Sequence, residues 1–377
     1  MRNMSVIVFV KQSEPGLLSI IDSGEKSFLP LLGGVRLIDL YIGPLIQHGF
    51  RQIIVLMGNE MMSAREYLLS GYSAQKLKIM NASDIKKLVA TLLRQKRNEK
   101  LLILQADGAL FLNWSHFLDL LVMRKEGNYE LEIGNNKSAG FLLCETSSVL
   151  KTIEENLSPE GEITVDEVWS LFTDMLRKDS RSESFECHSV WLNTVKEYHS
   201  FHLSLLRNEA DFTHVLSLNP KENPEKENLA MVEVTGFVKD SFISSSCSVE
   251  GYVENSVLFP HVKIAPYAQI INSVIMSNNY VGQGAIIQSV VLCENNQLSK
   301  VTPNIGESAR IGEDDTTGAN GEYPEYIFGG ITLVGQNVEI PKGFRISRNC
   351  YISSGVDKTF LKGRDRVKAG DSVLITH

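Results

Sequence analysis

Two histidines three residues apart, His199 and His202 in the segment YHSFH, form the first pair able to do chemistry. On a helix that spacing puts both imidazoles on one face, where they could share a metal ion. No cysteine or paired carboxylate stands beside them, so they read as ordinary helix residues. The five cysteines, Cys144, Cys187, Cys247, Cys293 and Cys350, form no CxxC pair and are odd in number. That pattern suggests neither a disulfide framework nor a zinc site, and it fits a reducing, cytoplasmic setting. Ser244–Ser246 lie among turn residues with no acid–base partner in sequence to make one of them a nucleophile.

The elements that must position any site come in two textures. In the first half, apolar runs at Ser5–Val10, Gln52–Met57, Leu101–Gln105 and Gly140–Cys144 alternate with helical patterns. Helices are expected over Asp84–Lys96, Trp114–Arg124, Val165–Leu176 and Thr194–Leu206. Strands alternating with helices predict a parallel, two-sided α/β sheet. Asn219–Asn228 (NPKENPEKEN) reads as a linker.

After the linker the chain repeats itself. ENSVL at 254–258, INSVI at 271–275 and IQSVV at 287–291 recur at offsets of 17 and then 16 residues. Apolar positions recur in sixes, Ile243 to Val249, Ile264 to Ile270 and Val281 to Ile287. This is the pattern of a parallel β-helix. It predicts coils over about 236–357, with Val257, Val274 and Val290 in one inward column. Gly330–Gly343 should add a further coil through Val334, Val338 and Ile340. The expected organisation is an α/β domain over 1–218, a linker over 219–235 and a β-helix over 236–377. With a net charge of −8 and no long basic run, nucleic acid is not an expected partner. The apolar run Val6–Val10 is too short for a signal sequence or a membrane span.

Two stretches resemble the glucose-1-phosphate adenylyltransferases (ADP-glucose pyrophosphorylases). LGGVRLIDL at 32–40, followed by His48–Phe50 and Gln52–Met57, is similar to the family's segment leading into its second strand. ENSVLFPHVKI at 254–264 is similar to its opening β-helix coil. The resemblance implies a Rossmann-like nucleotidyltransferase sheet, reduced here, followed by a left-handed parallel β-helix. It also implies a reaction joining ATP to glucose 1-phosphate, which needs a phosphate cradle, a cation donor and carboxylate-held Mg²⁺.

Against that pattern, four parts are missing. The family's Gly-rich loop is replaced by Lys11–Ser19 (KQSEPGLLS), in which only Gly16 remains and Glu14 brings a like charge to the phosphate position. Ser27 and Phe28 stand where the catalytic Lys-Pro belongs, with Lys26 one residue off. Asp107 matches a metal-binding Asp, but Asn193 replaces the second carboxylate. Finally, the interval from Asp107 to Gly140–Cys144 holds only helix Trp114–Arg124 and a connector, Lys125–Ala139, with no sugar-phosphate motif EKP.

The resemblance therefore implies a regulatory, catalytically impaired subunit in glycogen (α-glucan) synthesis. Its expected partners are a catalytic ADP-glucose pyrophosphorylase subunit or further copies of itself, and a small anionic effector. No cofactor is expected, with Mg²⁺ only alongside residual activity at a vestigial Asp107. Arg36, Asp39, Val257 and Phe259 are the expected regulatory or interface residues, although Arg36 could equally pair with Asp39 in a turn. Two rival readings are an active nucleotidyltransferase using Lys26 and Asp107, and a β-helix acyltransferase using His261.

Overall fold

The computed structural model describes residues 4–11, 14–21, 25–50, 53–58, 60–84, 87, 88, 91, 100–124, 126–133, 137–156, 164–185, 187–218, 233–296, 302–313 and 318–375. The expected linker at Asn219–Asn228 and most of the helix expected over Asp84–Lys96 lie outside these residues.

The first half builds one seven-stranded sheet from β1 (Met4–Val10), β2 (Ile53–Met57), β3 (Leu77–Asn81), β4 (Lys100–Ala106), β6 (Asn128–Ile133), β7 (Lys137–Glu145) and β8 (Ser180–Phe185), in the order β3-β2-β1-β4-β7-β6-β8. The apolar runs behave as a two-sided sheet requires. Val6, Val8 and Val10 enter one core, whereas Ile7 and Phe9 enter the other. Pairing is parallel from β3 to β4, but β7 runs antiparallel to both β4 and β6. The sheet is therefore mixed, and the connector expected over Lys125–Ala139 in fact contains β6. Alternate apolar residues there, Tyr129 and Leu131, are buried, a period-2 signal too short to stand out in sequence. A separate ribbon pairs β5 (Gly108–Phe111) with β9 (His188–Trp191).

Helices α1 (Asp39–Gln47), α2 (Met62–Gly71), α3 (Trp114–Met123), α4 (Thr146–Asn156), α5 (Val165–Asp179), α6 (Val195–Leu205) and α7 (Glu209–Ser217) also belong to this half. Both α5 and α6 begin with capping boxes, Thr164/Glu167 and Thr194/Glu197. Among the described residues, no helix is long and apolar enough to cross a membrane.

The second half is a parallel β-helix running from Glu233 to Val373, somewhat beyond the expected 236–357. Its faces are parallel sheets of four, seven and seven strands. The further coil expected over Gly330–Gly343 is present, with Thr332–Val334 on one face and Ile340 bridged to Ile305 on another.

The expected inward column needs correcting. Val257 pairs with Val274, and Val274 with Val291, at 17 residues each time. The third repeat is thus shifted by one residue from the sequence match. Its corner residue is Ser289 (φ 55°), equivalent to Asn255 (φ 45°) and Asn272 (φ 49°) in the left-handed region. Val290 stands in the place of Ser256 and Ser273, and its N–H donates to the Ser273 hydroxyl at 3.1 Å.

The faces are corrected too. Val290 is inward, with Leu258, Ile275, Leu292, Val334 and Ile352 in the β-helix core. Val257 and Val274 point outward. With Val291, Leu333, Phe259 and Met276 they join the core of the first half. The two halves are therefore packed through a shared apolar layer, and α6 lies against it. His199 on α6 meets the backbone carbonyl of Asn272 at 2.6 Å, and the His202 ring lies 5.8 Å from that of Phe259.

Candidate functional site

β1 lies between β2 on one side and β4 on the other, so the order in which strands are added reverses between β1 and β4, although the two are parallel. The carboxyl ends of these strands form the crevice where α/β sheets bind ligands. Here that crevice is filled by the chain itself. After Lys11 comes a 3-10 segment, Pro15–Ile21, with Leu17, Ile20 and Ile21 buried. Gly16 is required because a Cβ there would sit 2.0 Å from the carbonyl oxygen of Asn193 and 3.2 Å from the Tyr326 ring. The close approach that glycine permits is thus made to protein backbone, not to a phosphate.

Lys26, Asp107 and Asn193, far apart in sequence, meet at this crevice. The Lys26 ammonium is 2.6 Å from Asp107 Oδ1, donates to Asn193 Oδ1 at 2.5 Å and lies 3.6 Å from Glu14 Oε2. Its side chain is only 1% exposed. Lys26, one residue off the family's lysine position, is therefore buried and paired with Asp107. Its neighbour Ser27, also buried, donates to the Ala106 carbonyl at 2.5 Å and accepts from the Lys11 N–H at 2.7 Å, binding the loop to the ends of β1 and β4.

A divalent cation does not fit this arrangement. The position between Asp107 and Asn193, where two carboxylates would hold Mg²⁺, is taken by the Lys26 ammonium. Among the described residues no group of three or more His, Cys, Asp or Glu could hold a metal. His199 and His202 are buried at the contact between the halves, and the five cysteines are free thiols. On the far side of Asp107, the Trp191 ring packs against Gly108, where a Cβ would be 2.9 Å from the ring.

A cavity of about 640 Å³ opens between the halves. Its walls include Gly33, Gly34, Arg36 and Tyr67 from the first half, and Ser244–Ser246, Phe259, His261 and Asn278 from β-helix corners. Arg36 donates to the Phe28 carbonyl at 2.9 Å and lies over the Tyr67 ring at 5.5 Å. Asp39 does not pair with the Arg36 guanidinium. It accepts the Arg36 backbone N–H at 2.7 Å and the hydroxyls of Tyr67 and Tyr72 at 2.5 and 2.6 Å. Burial pushes the Asp39 carboxyl up to about 6, against the lowering effect of those donors. Asp39→Asn takes one carboxylate acceptor from the hydroxyls of two half-buried tyrosines. It should lower stability by about 1–3 kcal/mol, read as a reduced urea midpoint at unchanged slope.

Phe259 borders this cavity but is 2% exposed, and Val257 is fully buried. Of these two expected regulatory or interface residues, Phe259 stands at the cavity wall and Val257 lies in the chain's own interdomain contact. Sequence reading also missed Tyr323, Tyr326 and Phe328. They sit on an excursion between two β-helix strands, Arg310–Glu313 and Thr332–Val334, that reaches back to the first half. Tyr326 covers Gly16, and the Phe328 ring lies 4.5 Å from Lys196 Nζ on α6. The signal was present as an overlong interval in the repeat, filled by EYPEYIF.

Residues 224–334 match the family of GlmU-like C-terminal hexapeptide domains. The chain is also similar to proteins named glucose-1-phosphate adenylyltransferase. One from Acetivibrio thermocellus is 27% identical over 192 residues, covering 47% of this chain and 41% of that protein. One from Bacillus cytotoxicus is 22% identical over 329 residues, covering 71% of this chain and 85% of the relative. One from Bacillus cereus is 23% identical over 268 residues, covering 59% and 69%. The match to the first of these spans less than half of its length.

Proposed function

We propose that this chain, a member of the glucose-1-phosphate adenylyltransferase family, is a non-catalytic, regulatory subunit of such an enzyme, acting in glycogen (α-glucan) synthesis in the cytoplasm. The observation that carries the reading is the closed crevice. Pro15–Ile21 and Tyr326 occupy the mouth of β1 where a nucleotide triphosphate would need open backbone N–H groups. The rival reading of an active transferase needs Lys26 and Asp107 free for substrate and metal, but the two are committed to each other at 2.6 Å. In the acyltransferase reading His261 would serve as the base; it lies instead at a β-helix corner facing the first half across the cavity.

In this reading the fold is kept for assembly and for the cavity between the halves. Arg36, with its guanidinium anchored at one edge and the Ser244–Ser246 hydroxyls opposite, suits a small anionic effector. A catalytic homologous subunit is the proposed partner.

The test is an assay of ATP and glucose 1-phosphate with the purified chain, alone and co-expressed with a catalytic homologue. Alone, pyrophosphate release should stay at background. Together, the two should co-elute and the catalytic rate or its response to phosphate should change. Robust turnover by the chain alone that disappears in Asp107→Ala would overturn the reading, as would separate elution with unchanged kinetics.

A further inference from the structure

The family's chemistry calls for a divalent cation between two carboxylates, and this crevice holds an ammonium there instead. We infer that Lys26 has replaced the metal as a tethered cation, and that this chain is consequently indifferent to divalent ions at this position. The inference rests on the non-catalytic reading of the same crevice.

Three features of the site argue for replacement over a chance ion pair. First, the charges are matched at contact distance. The ammonium touches one carboxylate, Asp107, and the uncharged Asn193 amide, while the Glu14 carboxylate stands off at 3.6 Å. Losing the second carboxylate and exchanging a doubly for a singly charged cation are matched changes. An aspartate at 193 would put a further carboxylate against a single buried ammonium. Second, the ligands at contact distance are side-chain oxygens: Asn193 Oδ1 accepts from the ammonium at 2.5 Å and Asp107 Oδ1 pairs with it at 2.6 Å, with Glu14 Oε2 farther off at 3.6 Å. Asn193 turns its carbonyl oxygen to the lysine, as a cation requires. Third, the lysine is delivered from the same loop whose backbone closes the crevice. Lys26–Phe28 forms a tight 3-10 turn, and Ser27 fixes it to Lys11 and Ala106. The cation is thus held by the chain and cannot dissociate.

The experiment uses Mn²⁺ as the probe, read by its electron paramagnetic resonance signal and by thermal unfolding. The wild-type chain should take up no Mn²⁺ here, and neither Mn²⁺ nor EDTA should move its melting temperature. The double variant Lys26→Ala, Asn193→Asp restores two carboxylates and opens the space. It should melt well below wild type without metal, bind one Mn²⁺ per chain, and recover stability when Mn²⁺ is added. Adding Asp107→Asn to it should abolish the binding. The inference is overturned by Mn²⁺ stabilising the wild type, or by a double variant that gains no Mn²⁺ binding or that Mn²⁺ fails to refold. Turnover of ATP and glucose 1-phosphate by the wild type would instead count against the non-catalytic reading, so the two failures are told apart.

Discussion

A chain truncated after Leu218 should fail to unfold cooperatively. It should show retained far-ultraviolet but collapsed near-ultraviolet circular dichroism, and it should bind hydrophobic dyes. The sequence, with its linker over 219–235, suggests a first half that folds alone; the packing argues otherwise. Val257, Phe259, Val274, Met276, Val291 and Leu333 are all at most 3% exposed, and all belong to the core of the first half. Each such side chain contributes about 1.5–3 kcal/mol on burial, so removing this layer takes away on the order of 10 kcal/mol. That is comparable with the whole stability of a domain. The β-helix keeps its own closed core, centred on Leu258, Ile275, Leu292 and Ile287, so a fragment over 233–377 should retain its strands and fail only by aggregation through the bared valine face. A cooperative, wild-type-like urea transition for 1–218 would show the apolar layer to be dispensable.

Acidification should weaken the same contact through His202. This side chain is fully buried on α6, and burial lowers its pKa from the ordinary 6.5 to about 4. Burial also lowers His199, despite its bond to Asn272. The unfolded chain therefore takes up protons below about pH 6.5 while the folded chain does not until about pH 4. The stability held by the neutral His202 ring is present at pH 7 and lost as the pH falls through that window, to the extent of about 3 kcal/mol.

Asp39 works in the opposite sense. Its carboxyl, raised to about 6, favours the folded state at low pH and loses that contribution as the pH rises from about 4 to 6. The informative quantity is therefore the difference between wild type and His202→Phe. From pH 7 to pH 4 the wild type should lose about 3 kcal/mol relative to the variant. Parallel profiles for the two proteins would mean that His202 is not held neutral at the interface.

Local pattern in the sequence determined the elements. The apolar runs became β1, β2, β4 and β7 because a continuous Val/Ile/Leu segment can bury both faces only inside a sheet. The capped, amphipathic segments became α5 and α6, and near-constant coil length marked the β-helix. The losses at the site were legible as well, since each is a residue type at a position: a single Gly16, Ser27, Asn193. What a repeat motif could not give was its phase. Identity of Ser-Val pairs suggested offsets of 17 and 16, whereas backbone corners at Asn255, Asn272 and Ser289 hold the true spacing at 17. Strand side chains alternate, so that one-residue slip separates an inward Val290 from an outward Val291.

Tertiary structure alone decided what covers the β-helix: in one of its sheets strands such as Val257–Leu258 and Val274–Ile275 are apolar on both sides, and composition does not say what packs on the outer one. It also decided the fate of the crevice. Lys26, Asp107 and Asn193 are up to 167 residues apart, and no sequence spacing announces that an ammonium will stand among the oxygens they bring together. The sequence by itself determined which groups the site has lost; only the fold, by closing one loop over the ends of β1 and β4, decided what fills the space.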